Sequence, residues 1–174
     1  VGFKMTKKKI TIPTIFGSGS EVTRISVLKV DKKKRSFHDD KIFADTAIID
    51  PTFIQTTPKK IINDAIIDAC AQSTEAYDSN NSNLYTKFLC QKGFENIEQG
   101  LKESNHEKIV FGTLLTGLGF GNASTTLGHA LSYVFSNEGF SHGHALAFTT
   151  QVAHQFNKSI FYSRFKKIVD DFSF

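Results

Sequence analysis

Residues 58–77, PKKIINDAIIDACAQSTEAY, decide how the rest of the chain is read. Pro58 suits the first turn of a helix, and Ile61, Ile62, Ala65, Ile66 and Ala69 recur at helical spacing through Glu75 and Ala76. On that helix Asp68 and Gln72 are one turn apart, so both project from one face toward a common point. Two histidines follow at long range, His129 within GFGNASTTLGHALSY and His142 within FSHGHALAF. One carboxylate oxygen and two imidazole nitrogens make a good ligand set for a divalent transition metal that keeps a position open for substrate. The pattern points to a catalytic metal.

Working outward, the polar cluster 78–83 breaks the helix. Helices are expected over 84–101 and 107–119, separated near Ser104 and Asn105, then over 129–135 and 143–155, with an amphipathic helix in progress over 160–174. Toward the amino end the texture is β-like. Residues 9–13 read as a strand end, 17–21 as a tight loop of small residues, 22–30 as a β-rich run and 46–49 as a short strand stopped by Asp50-Pro51. The change of texture places a boundary at 55–58, with no internal repeat or low-complexity segment on either side.

The 174 residues, 40% hydrophobic, suffice for one ordinary domain and its core. Lys and Arg exceed Asp and Glu by 21 − 17 = 4, mostly in the runs 7–9 and 32–35. No stacking aromatics interleave with these runs, so they read as solvated loops, the second at a turn, rather than a nucleic-acid surface. Cys70 and Cys90 form no CxxC pair and no signal-peptide pattern is present, so a reducing cytoplasm is expected. The apolar region 109–135 is interrupted by glycines, hydroxyls and His129, which favours a buried helix pair over a membrane span.

Together with IPTIFGSGSEVT (12–23) and AIIDPTF (47–53), these stretches resemble, in order and approximate spacing, the iron-containing alcohol dehydrogenase family with its dehydroquinate synthase-like fold. That family typically reads IPTTAGTGSEVT, an aspartate-proline segment, a helix beginning MDALTHAIEAY, a helix ending in VHALAH, and PHG. The resemblance implies an α/β fragment, in which residues 1–56 end a nucleotide-binding α/β domain and 57–174 begin a mostly α-helical, metal-binding domain. It starts beyond the family's GGGS-type phosphate turn and stops before its last helices, so the chain reads as an internal piece.

The function so implied is metal-dependent, NAD(P)-linked oxidation of a small alcohol or reduction of an aldehyde. Small residues at the GSGS loop let backbone N–H groups and hydroxyls approach a dinucleotide closely, although most such stretches taken alone are ordinary turns. The resemblance assigns cofactor binding to Thr14, Gly17, Ser18, Gly19 and Ser20, and a divalent metal, iron(II) or alternatively zinc, to Asp68, Gln72, His129 and His142. A homo-oligomer is expected of the full-length protein, with neither nucleic acid nor membrane as partner.

Three departures stand out: Ile15 for a family threonine, Ser18 for another, and Gln72 for a histidine ligand. Glutamine offers only a neutral carbonyl oxygen, weaker for iron or zinc than imidazole. The alternative reading is therefore a degenerate, non-catalytic homologue. A helical module with basic loops is a third class. Tyr133, one turn after His129, suits either a substrate hydrogen bond or packing. Glu75 and Tyr77 are assigned a structural role, Cys70 a core position, and the glycines at 112, 117, 119 and 121 close helix packing beside the metal. His144 should point away from the metal, and His38, His106 and His154 are expected at the surface or in loops.

Overall fold

A computed structural model describes residues 7–31 and 33–174. Two small ladders precede a helical body. Strand β1 (Ile10–Thr11) pairs in parallel with β4 (Thr46–Ala47), while β2 (Ile25–Val30) and β3 (Lys33–His38) form an antiparallel hairpin, with Ile25 opposite His38 and Val30 opposite Lys33. The β-rich run expected from residue 22 begins later, because a 3-10 turn occupies Ser20–Val22.

Of the basic run expected at a turn, Lys32 lies outside the described residues and Lys33 to Arg35 belong to β3. The turn falls earlier, where Asp31 adopts a left-handed φ of 51°. Strand β3 carries no apolar alternation; what makes it a strand is the ladder to β2, a non-local cause.

Six helices follow: α1 (Lys59–Asp78), α2 (Leu84–Glu103), α3 (His106–Phe120), α4 (Leu127–Asn137), α5 (His142–Asn157) and α6 (Tyr162–Phe172). The polar interruptions are caps. Asn83 accepts from the Thr86 N–H at 3.0 Å while the Thr86 hydroxyl accepts from the Asn83 N–H at 2.9 Å, a reciprocal box at the start of α2. Asn105 likewise accepts from the Lys108 N–H at the start of α3.

Helix α1 is the axis of the body, touching each of the other five helices. Every residue from Ile66 to Ala76 is buried, as expected of a helix enclosed on all sides. Ile66, Ile67, Phe94, Ile97, Leu146, Phe161 and Phe165 form the main core with it, each fully buried side chain contributing roughly 1.5–3 kcal/mol. The glycines of α3 do mediate close approach, but to other neighbours than the metal set: Gly112 and Gly119 meet α2, and Gly117 and Gly121 meet the loop before β2. The apolar stretch 109–135 divides into α3, a polar connection and α4. Among the described residues no helix is long and apolar enough to cross a membrane.

Enclosure of α1 has a chemical consequence. Asp68, Gln72, Ser73, Thr74 and Glu75 are buried with its apolar residues, and buried polar groups need partners. Those partners build the site.

Candidate metal centre and its cleft

Asp68, Gln72 and Glu75 follow one another at i, i+4 and i+7 along α1, so one helix face carries all three. Two histidines come to this face from the starts of α4 and α5. Each is placed by a neighbouring glycine that allows helix–helix approach: a Cβ on Gly128 would fall within 2.9 Å of the Thr150 Cα, and one on Gly143 within 2.7 Å of the Asp64 carbonyl carbon. Asp64 is one turn before Asp68, so the close seat at Gly143 sets His142 over the carboxylate.

The His129 Nε2 lies 3.3 Å from Asp68 Oδ1 and the His142 Nε2 3.7 Å from the same oxygen. One donor atom from each of Asp68, His129 and His142 falls within 4.8 Å of the others. The two imidazoles meet edge to face, with ring centroids 5.6 Å apart.

Glu75 holds this set from behind. Its carboxylate accepts from the Thr126 N–H at 2.6 Å, the Thr126 hydroxyl at 3.0 Å and the His129 N–H at 3.1 Å, and lies 3.0 Å from His129 Nδ1. The residue assigned only a structural role is thus the orienting carboxylate of a candidate ligand. With Nδ1–H committed to Glu75, Nε2 is the ring atom turned toward Asp68, where it donates to the carboxylate in the imidazolium and would offer its lone pair to a metal. Burial raises the Glu75 carboxyl, but the bonds and charge of His129 and the backbone N–H groups outweigh it and hold the pKa below the ordinary value. Burial also disfavours charge on His129, yet hydrogen bonds to Asp68 and Glu75 prevail and raise its pKa to about 9. His142 goes the other way, lowered by burial first, with Asp68 opposing and the charges of His129 and Lys34 reinforcing.

Gln72 ties this centre to the loop before β2. Its amide nitrogen donates to Asp68 Oδ1 at 2.9 Å and to the Ser18 carbonyl at 3.4 Å. A carboxylate can only accept, so the nitrogen must face Asp68, and the amide oxygen is left buried without a partner among the described residues.

Of the residues expected to bind cofactor, Ser18 and Ser20 line the same cleft as the metal set, their hydroxyls 2.7 Å apart. Gly17 and Gly19 are buried spacers: Gly19 adopts φ 62°, and a Cβ there would lie 2.7 Å from the Gly117 Cα on α3. Thr14 is exposed and does not line the cleft. The cleft holds about 690 Å³ and is also lined by Lys34, Ser36 and His38 of β3 and by Tyr133 of α4.

One histidine meets its expectation with an addition, and another departs from it. His38, expected at the surface, does lie there but also lines the cleft, 2.9 Å from the Ser36 hydroxyl. His154 is buried rather than superficial, 2.9 Å from the Thr74 hydroxyl and edge-on to Phe165. Neither had a local signal, since His154 is buried against Thr74 and Phe165 on other helices and His38 is set in place by the pairing of β3 with β2. His144 does point away from the centre, among Phe140, Phe148 and Phe174.

With fold and centre in view, the comparisons agree on a class. Residues 3–51 match the profile of iron-containing alcohol dehydrogenase, and residues 41–174 that of the Fe-containing alcohol dehydrogenase family, C-terminal. The chain belongs to the iron-containing alcohol dehydrogenase family. It is 36% identical over 152 residues to the 4-hydroxybutyrate dehydrogenase of Clostridium kluyveri, covering 80% of this chain and 41% of that protein. Against long-chain-alcohol dehydrogenase 1 of Geobacillus thermodenitrificans it is 35% identical over 133 residues, covering 72% and 34%. Among solved structures, the sulfoacetaldehyde reductase of Bifidobacterium kashiwanohense in complex with NAD+ superposes with a TM-score of 0.78 at 29% identity, over 85% of this chain and 42% of that one. The chain therefore spans less than half the length of these relatives.

Proposed function

We propose that the protein carries out metal-dependent, NAD(P)-linked interconversion of a small alcohol and its aldehyde. The observation that supports this most is the convergence of Asp68, His129 and His142 in a cleft that Ser18 and Ser20 also line. Residues 1–56 are taken as the last part of the nucleotide-binding domain and 57–174 as the first part of the helical, metal-binding domain. The matched profiles overlap at 41–51, just before this boundary.

The donor set fits a divalent ion: an anionic oxygen, two imidazole nitrogens, and beside them a buried Gln72 oxygen with no partner. Such an ion, iron(II) or zinc, supplies Lewis-acid polarisation of an alkoxide or carbonyl oxygen. A bound nicotinamide would supply the hydride acceptor for the alcohol carbon.

The chain's own residues set the geometry. Glu75 keeps the His129 Nε2 aimed at Asp68, and Gln72 holds the Asp68 carboxylate in register with the Ser18 loop. Ser18 and Ser20 present hydroxyls to the dinucleotide. Tyr133, whose pKa is raised by burial and then by the charge of Asp68, keeps its proton and can donate to a substrate oxygen. The substrate is a small alcohol or aldehyde, the setting is cytoplasmic, and the full-length protein is a homo-oligomer that engages neither nucleic acid nor membrane.

Gln72 favours one second reading, a degenerate homologue that has lost its metal. Both readings meet one experiment: metal content of the purified protein, followed by NAD(P)H formation from primary alcohols with iron(II) or zinc added. Stoichiometric metal with turnover supports the enzyme, whereas a protein that retains no metal and forms no NAD(P)H supports the degenerate homologue.

A further inference from the structure

Helix α1 carries a third carboxylate on the face that bears Asp68 and Glu75. Asp64 lies one turn before Asp68, as Gln72 lies one turn after it. It is half-buried and stands in no ion pair among the described residues, and its Oδ1 is enclosed without a hydrogen-bond partner. A second buried atom without a partner lies on the helix packed against it: the Nδ1 of His142. His129 differs in this respect, because Glu75 holds its Nδ1.

The packing of α5 on α1 sets which nitrogen meets which carboxylate. Gly143 sits so close to the Asp64 backbone that a Cβ on it would fall 2.7 Å from the Asp64 carbonyl carbon. His142, adjacent in the chain, therefore roots its side chain beside Asp64, while its Nε2 reaches to 3.7 Å from Asp68 Oδ1. The ring runs from one carboxylate toward the next, which lie about 6 Å apart along the helix axis. Nδ1 is bonded to the carbon at the root of the ring and Nε2 stands at its far end, so Nδ1 is the nitrogen on the Asp64 side. The two atoms do not bond to each other in this structure, and rotation of the Asp64 side chain toward the ring breaks no hydrogen bond of either. An imidazole that ligates a metal through Nε2 carries its proton on Nδ1 and almost always gives it to a carboxylate, a carbonyl or a water. Besides Asp68, Asp64 is the carboxylate whose charge reaches His142.

We propose that Asp64 is a positioning residue of the metal centre: its carboxylate accepts the Nδ1 proton of His142 and so fixes Nε2 as the nitrogen offered to the ion. The inference rests on the metal-dependent reading and deepens it, since each histidine then has its own carboxylate on α1, Glu75 for His129 and Asp64 for His142. Asp64 acts through His142 and meets neither substrate nor cofactor.

The test is nuclear magnetic resonance of the full-length protein with its histidines labelled by nitrogen-15, the His142→Gln variant identifying the His142 signals. Burial holds His142 below its ordinary pKa, so at about pH 8 the ring is neutral and the shifts of its two nitrogens locate its one proton. With metal stripped, wild type should carry that proton on Nδ1. Asp64→Leu keeps the bulk and removes the acceptor, so the proton should move to Nε2, facing Asp68; Asp64→Asn, which keeps an acceptor oxygen, should return it to Nδ1. Iron(II) or zinc affinity, measured by chelator competition, should fall roughly tenfold or more in Asp64→Leu. A wild-type proton on Nε2, a proton that stays on Nδ1 in Asp64→Leu, or equal and measurable metal affinity in the two proteins would overturn the proposal. Lost stability beside an unmoved proton would assign Asp64 to the amino end of α5 instead. Should Asp64→Leu not fold, Asp64→Ala takes its place. If wild type binds no metal, the metal-dependent reading fails, while the place of the proton still decides whether Asp64 positions His142.

Discussion

The Glu75 carboxylate, on the central helix, lies 3.0 Å from the Nδ1 of His129, at the start of a helix 54 residues further along the chain. This contact fixes the ring tautomer and presents Nε2 to Asp68. Carboxylates in this position orient a ligating imidazole and raise its basicity, and their loss typically costs about 10–100-fold in metal affinity.

Glu75→Gln should therefore weaken iron(II) or zinc binding by about that factor while preserving side-chain size and the bonds from Thr126. Competition with a chelator of known affinity measures it. Affinity equal to wild type would show that His129 is oriented by its helix alone.

Replacing Gln72 by His adds an imidazole beside Asp68 and should tighten metal binding, whereas His129→Ala should abolish it. The gain will be partly offset, because Gln72→His gives up the bonds to Asp68 and the Ser18 carbonyl. Metal content after gel filtration discriminates. Equal content in all three proteins would place any bound ion elsewhere.

Gly143→Ala probes the seat of His142. A new Cβ would meet the Asp64 backbone, which no rotamer change can relieve, so α5 must back away from α1 and carry His142 with it. A loss of about 1–3 kcal/mol in stability is expected together with weaker metal binding. Denaturant unfolding and metal titration of the same sample check both; wild-type values in each would mean that the two helices separate easily there.

His154 makes stability pH-dependent. Burial lowers its pKa from 6.5 to about 4, so the folded state keeps it neutral while the unfolded chain protonates. Between those values the unfolded state binds more protons, so stability rises with pH across the window and is lost on acidification, by roughly 3 kcal/mol in full. His154→Gln removes the titration and retains a group that can bond the Thr74 hydroxyl. The stability difference between variant and wild type should change between pH 7 and pH 4; a constant difference would rule this out.

The sequence by itself determined the helices and their breaks, because these are local matters: apolar spacing along α1, the polar caps Asn83 and Asn105, and the Asp50-Pro51 stop. It also singled out Asp68, His129 and His142, whose flanking motifs are strong enough to be read without knowing where the helices meet. Only the tertiary structure decided what surrounds them. Glu75 became an orienting carboxylate and His154 a buried neutral imidazole through partners on other helices, and Lys34 and His38 became cleft residues through the placement of their strand. A side chain's charge state and purpose depend on what it faces. For these four residues the facing groups come from chain segments whose pairing no local pattern encodes: β2 against β3, α4 against α1, and α5 against α1.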